Sequence, residues 1–122
     1  MAVFNLGEQE TRFANIIWDN APLKSAELVR LAAGTLQWKK STTYTMLRRL
    51  CQRGLFENVN TMVYVKMTKE QFYAGQSRKY VEDTFGGSLP KFIASFVGGK
   101  KLTHEQADEL KRLLDELEGD EK

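Results

Sequence analysis

Apolar residues return at three- and four-residue intervals through most of the chain, broken by one short segment in which they crowd together. Phe13, Ile16 and Ile17 keep helical spacing behind an acidic opening of Glu8 and Glu10, which predicts a first helix over residues 7–18. Asn20-Ala21-Pro22 ends it. Leu28, Leu31 and Ala32 share one face of a second, two-turn helix over 25–33, with Ser25 as the expected N-cap and Gly34 as the stop. A short link through Leu36 and Trp38 leads into a third helix, about residues 40–53, that stops at Gly54. The crowded segment is LFENVNTMVYVK, residues 55–66. Its aromatic and β-branched residues flank Asn60-Thr61, which predicts strands over 55–59 and 62–67 joined by a tight turn. Helical spacing then resumes over 69–85, with Phe72, Tyr73, Tyr80 and Val81 on one broad side, until Gly86-Gly87. Ser88 caps a short helix in which Leu89, Phe92, Ile93, Phe96 and Val97 fall at i, i+3, i+4, i+7 and i+8. After Gly98-Gly99, Thr103 and Gln106 form a capping-box signature for a last helix bearing Leu110, Leu113, Leu114 and Leu117.

Three helices followed by a hairpin predict a mainly α fold with a small β-hairpin: a winged helix-turn-helix domain over 1–68, in which the second and third helices form the helix-turn-helix and the hairpin is the wing. The remaining helices, 69–122, carry apolar stripes in excess of what the first domain needs for its own core. Folding back onto that domain is one way to bury them. Burial against a second copy is the expected one, since most oligomers of this kind are twofold dimers. Phe92, Ile93, Phe96, Leu110, Leu113, Leu114 and Leu117 are the expected dimerisation residues.

Composition narrows the function classes. A chain of 122 residues with 42% hydrophobic residues and two prolines can build a real core and is neither collagenous nor disordered. No apolar run approaches the roughly 20 residues that cross a bilayer, and MAVFNLGEQE lacks the basic start and apolar stretch of a signal peptide. A cytoplasmic protein without membrane attachment is expected. Cys51 and His104 are the single cysteine and histidine, which leaves no internal disulfide, and no metal site or nucleophilic triad is expected from them. Cys51 sits among apolar positions and is expected to be a packed thiol; His104 is a solvated residue near a helix start. No base, nucleophile and orienting partner converge by any visible spacing, so an enzyme is the least expected class, and no cofactor is implied.

The net charge of +2 conceals an asymmetry. Residues 1–68 carry nine Lys/Arg against five Asp/Glu, whereas 69–122 carry nine against eleven. Within the basic half, the stretch from Lys24 to Arg53 holds seven basic residues and one acid, Glu27. Advancing about 100° per residue along the third helix sorts its unusual composition. Thr43, Met46, Leu47 and Leu50 gather on a core stripe with Cys51 at its margin. Ser41, Thr42, Thr45, Arg48, Arg49 and Gln52 gather on the opposite side, with Tyr44 on the boundary and no carboxylate among them. Short hydroxyls can approach base edges closely, and threonine adds a methyl contact; Lys39 and Lys40 can neutralise phosphates beside the free N–H groups of the first turn. The expected DNA-binding set is Lys39, Lys40, Ser41, Thr42, Tyr44, Thr45, Arg48 and Arg49.

Thr42-Thr43-Tyr44-Thr45-Met46-Leu47-Arg48-Arg49-Leu50, followed by Arg53-Gly54-Leu55, resembles the T-V-x-T-x-L-x-R-L…KGL segment of the penicillinase repressor family, which includes β-lactamase, methicillin-resistance and copper-responsive repressors. The opening from Glu8 to Ile17-Trp18 is similar to that family's E…V-x-x-x-x-W start. The resemblance implies a winged-helix domain joined to a helical dimerisation domain, repressing transcription from a twofold-symmetric operator. It places Ser41, Thr42, Tyr44 and Thr45 on groove-facing positions and Thr43 and Leu47 on core positions. The chain departs from the family in three places. The wing tip Asn58-Val59-Asn60-Thr61 lacks the basic residue many relatives carry. The Cys-x-Cys motifs of copper-responsive members are absent. Where β-lactamase repressors present an Asn-Phe bond to a partner protease, the aligned pair is Ser95-Phe96, so inactivation by cleavage is expected to be lost, altered or supplied by a different regulatory protease acting near that bond.

The leading expectation is therefore a dimeric repressor of a palindromic DNA operator. Two other classes compete: a winged-helix protein-interaction module whose C-terminal helices bind a different protein, and a small-molecule-responsive regulator with a pocket lined by residues such as Phe72, Tyr73 and Tyr80.

Overall fold

A computed structural model describes residues 5–119. In chain order the elements are α1 (Glu8–Asn20), β1 (Leu23–Lys24), α2 (Ser25–Leu36), α3 (Lys40–Gln52), β2 (Phe56–Val59), β3 (Met62–Val65), α4 (Lys69–Phe85), α5 (Leu89–Val97) and α6 (His104–Leu117). The chain is mainly helical with a small antiparallel sheet in the order β1-β3-β2, a winged-helix arrangement followed by further helices. The described residues up to Tyr80 form one compact unit and those from Val81 onward a second.

The core of the first unit is built by the apolar stripes the spacing predicts. Phe13, Ala14 and Ile17 of α1, Leu28, Ala32 and Leu36 of α2, and Leu47 and Leu50 of α3 are buried together with Leu55, Phe56, Val63 and Phe72. Trp18 joins this core to the wing and to the head of α4. Its ring lies 5.6 Å from Phe56, 5.7 Å from Phe72 and 6.3 Å from Tyr73, and its indole N–H donates to the Met67 carbonyl at 3.0 Å. One side chain thus links three elements while satisfying its own polar atom. Phe72 and Tyr73 are consequently packing residues of the first unit, with Phe72 buried in its core.

Local details depart from the sequence expectations where distant partners intervene. The second helix passes through Gly34 and ends at Leu36, because Leu36 has a buried site to fill; the stop is Gln37, in the left-handed conformation at φ 55°. Ser25 is not the N-cap. It is the first helical residue, 4% exposed, and its N–H donates to the Thr61 carbonyl at 2.8 Å. That bond accompanies a third strand that the hairpin reading lacked: Leu23 and Lys24 pair with Val63 and Met62. The hairpin itself is shorter at its base than expected, since the Leu55 carbonyl takes both the Lys66 and Met67 N–H groups in place of a continued ladder. Its tip is a two-residue turn with Asn60 at φ 51° and Thr61 at φ 63°, the primed geometry that matches strand twist. Positive φ is unfavourable for a β-branched residue, and the Ser25–Thr61 bond helps to hold it.

Helix ends in the later chain follow side-chain chemistry. Thr68 and Gln71 form a reciprocal capping box at the start of α4, unread in the sequence although the spacing is there. Ser88 accepts from the Lys91 N–H at 3.2 Å, and Thr103 and Gln106 bond reciprocally at 3.0 and 3.2 Å, as expected. Within the second unit, Phe92 stacks 5.8 Å from Phe85 and 6.1 Å from Phe96. None of the described side chains from residue 81 onward is fully buried.

Phe72 is 1% exposed, so Phe72→Ala should cost about 3–5 kcal/mol of stability through lost transfer energy and the cavity left beside Trp18. Urea denaturation followed by tryptophan fluorescence measures it; a loss below about 1 kcal/mol would contradict the packing described.

Candidate nucleic-acid interface

The two faces of α3 are separated as its periodicity predicts. Thr43, Leu47 and Leu50 are buried, and the Thr43 hydroxyl donates to the Lys39 carbonyl at 3.1 Å, which satisfies the one polar group on the inner face. Lys39, Lys40, Ser41, Thr42, Thr45, Arg48, Arg49 and Gln52 are all exposed. No side chain caps the α3 N-terminus, so its first N–H groups remain available to an anion beside Lys39 and Lys40.

Tyr44 stands apart from the rest of the expected set. It is half-buried, packs against the core and donates from its hydroxyl to Ser25 Oγ at 3.3 Å. It therefore ties α3 to the head of α2, and only part of its ring edges the outer face. Because Ser25 also bonds to the wing turn, one buried serine connects both helices of the helix-turn-helix to the hairpin.

The arginines divide as well. Arg49 lies 3.5 Å from Glu10 of α1, and Arg53 lies 3.9 Å from the same carboxylate while donating to the Asn5 carbonyl at 2.6 Å. Arg48, Lys39 and Lys40 have no acidic partner among the described residues. Glu27, the single acid of the basic stretch, is taken up within α2 by Arg30, whose hydrogen bond holds the Glu27 carboxyl below its ordinary pKa and raises that of the guanidinium. Along α3 the uncompensated positive charge thus lies at the N-terminal end of the helix and at Arg48.

A cleft of about 270 Å³ lies between α3 and the wing, lined by Tyr44, Leu47, Arg48, Cys51 and Asn58. Asn58 was not among the expected residues, and nothing in the local sequence marks it; the fold brings it to the same cleft as Arg48. Cys51 is partly buried there, and desolvation, then the nearby Glu57 charge, raises its thiol pKa while Lys66 works against them. This is the packed thiol expected from its position, with little thiolate at neutral pH.

The residues expected at an oligomer interface lie outside this face. On α5, Phe92 and Ile93 are half-buried and Phe96 is 77% exposed; on α6, Leu110 is half-buried while Leu113, Leu114 and Leu117 are exposed. Leu110 and Leu113 line a shallow apolar cleft with Leu102, Gln106 and Glu109. Ser95 and Phe96 are both exposed on α5. His104 faces only Asp108, 3.7 Å away, and no group of three or more potential metal ligands occurs among the described residues. No helix is long and apolar enough to cross a membrane among those residues.

Comparison with known proteins decides the family. The penicillinase repressor profile matches residues 6–116. The chain belongs to the penicillinase repressor family. It is similar to the penicillinase repressor of Bacillus licheniformis, with 24% identity over 115 residues that cover 91% of this chain and 90% of the relative. The family is one of transcription regulators and not of enzymes.

Because burial raises the Cys51 pKa, alkylation by iodoacetamide at pH 8 should be several-fold slower in the folded protein than in urea, with the rate still climbing above pH 9. The raised value also removes stability as pH rises through the thiol range, since the unfolded chain ionises first. Equal alkylation rates in the two states would show that the thiol is not shielded.

Proposed function

We propose that this protein is a dimeric, cytoplasmic transcriptional repressor that covers a palindromic operator, with α3 as the recognition helix. The observation that carries this reading is the outer face of α3: hydroxyls, amide and cations without a carboxylate, presented by a helix whose other face is locked into a winged-helix core. Family membership and the name of the Bacillus licheniformis relative support repression as the outcome.

Ser41, Thr42 and Thr45 lie where small side chains enter the major groove, and Arg48, one turn beyond, reaches a guanine edge or a phosphate. Lys39, Lys40 and the uncapped N-terminus bind the backbone and set the register. Tyr44 positions the helix through Ser25, and Arg49 stands at the α1 edge of the face. In this reading residues 1–68 form the DNA-binding domain and 69–122 the dimerisation domain. Phe92, Ile93, Phe96, Leu110, Leu113, Leu114 and Leu117 bury their exposed apolar surface against a second copy, which places two recognition helices one DNA turn apart. Cleavage at Ser95-Phe96 would sever the apolar stripe of α5 and release the operator; the exposure of both residues suits such a site.

Recovery of bound fragments from genomic DNA tests the reading directly: a shared palindrome is expected, and the absence of any enriched site would sink it. On that operator Arg48→Ala and Thr45→Ala should each weaken binding by about 1–3 kcal/mol for every base the side chain reads, whereas Lys39→Ala should weaken all sequences alike. Phe96→Asp should shift sedimentation toward monomer; a dimer of unchanged stability would remove α5 from the interface.

A further inference from the structure

Glu10 occupies a position that neither capping nor packing accounts for in full. Its Oε1 accepts the Gly7 N–H at 2.9 Å, which closes the N-terminus of α1. The same carboxylate faces two arginines from the end of α3, Arg49 at 3.5 Å through Oε2 and Arg53 at 3.9 Å through Oε1. Arg53 is largely buried, with its side chain 14% exposed, and is further tied to the Asn5 carbonyl. Arg49 is different: its side chain is 53% exposed and stands on the same outward surface as Arg48. Glu10 is itself only 19% exposed, so its charge is poorly screened by solvent and its attraction for the neighbouring guanidinium is stronger than that of a fully exposed pair.

We propose that Glu10 is an intramolecular competitor for the DNA backbone, holding Arg49 away from phosphate and thereby limiting the affinity of the protein for duplex DNA of any sequence. This deepens the repressor reading and rests on it. Non-specific affinity is electrostatic and grows with each phosphate that a cation neutralises, so a repressor with too many free cations on its reading face is titrated by bulk DNA. Arg48 and Arg49 are adjacent in sequence, yet only Arg49 meets an acid among the described residues. The carboxylate therefore leaves Arg48 available to read the operator and removes its neighbour from the phosphate count. Glu10 acts through Arg49 and is a positioning residue, with no contact of its own to nucleic acid.

Glu10→Gln separates the two roles of this side chain, because the amide oxygen still accepts the Gly7 N–H while the charge is lost. Binding of the full-length protein to a random-sequence duplex is measured by fluorescence anisotropy across a range of salt. The expected result is tighter binding, with the slope of log K against log salt steeper by about 0.9 for each arginine released per protomer. Arg49→Gln alone should leave the slope near the wild-type value, and Glu10→Gln with Arg49→Gln should return it there. A wild-type slope in Glu10→Gln would overturn the proposal, as would a slope in Arg49→Gln shallower by a full phosphate contact per protomer, which would show that Arg49 already grips phosphate. If Glu10→Gln fails to fold, as judged by its thermal transition, Glu10→Ala takes its place with the same expected steepening, and a wild-type slope there overturns the proposal. Failure of the wild-type protein to bind any duplex would sink the repressor reading itself, whereas binding with an unmoved Glu10→Gln slope sinks only the role of Glu10.

Discussion

Burial of Thr43, Leu47 and Leu50 is the constraint on which the functional surface depends. These three positions recur on one side of α3, and once they are seated in the core beside α2 and β2 the rotation of the helix about its axis is set. Every residue on the opposite side is then directed outward whatever its own preferences. The helix carries several hydroxyl residues of low helix propensity, a cost that would be considerable in an isolated peptide. Tertiary burial of the inner stripe offsets it and leaves the outer face free of packing demands.

A small number of contacts also governs the positioning of α3 against its neighbours. Ser25 uses its N–H for the wing turn and its hydroxyl for Tyr44, so a single small residue bonds to both α3 and the hairpin. Trp18 performs the corresponding task on the other side, where its ring and indole N–H join α1 to the wing and to α4. Electrostatics is arranged at the same points: Glu27 is neutralised by Arg30, and Glu10 by the arginines at the far end of α3.

Much of this is legible in the residues alone. The division of α3 into faces needs only its period, and the glycine pairs, the Thr103-Gln106 box and the Asn60-Thr61 turn announce themselves by local chemistry. The exposed stripes of α5 and α6 are legible as well, since their apolar content exceeds anything a two- or three-turn helix requires of itself. What escapes is set by residues far apart in the chain. Ser25 has the composition of an N-cap and became a buried junction; Gly34 has the composition of a stop and was carried through because Leu36 had a pocket to fill. Leu23 and Lys24 are too short a run to be read as a strand and become one only because β3 offers an edge.

Sequence by itself determined the helices, the hairpin, the family and the two-faced polarity of α3, because these depend on periodicity and turn chemistry within a few residues. Tertiary structure alone decided which of the α3 charges are compensated. Arg48 and Arg49 are indistinguishable by residue type, and only the approach of α1 to α3 gives one of them a carboxylate and leaves the other open. Charge is local in sequence, but its compensation acts through space, and space is assigned by packing.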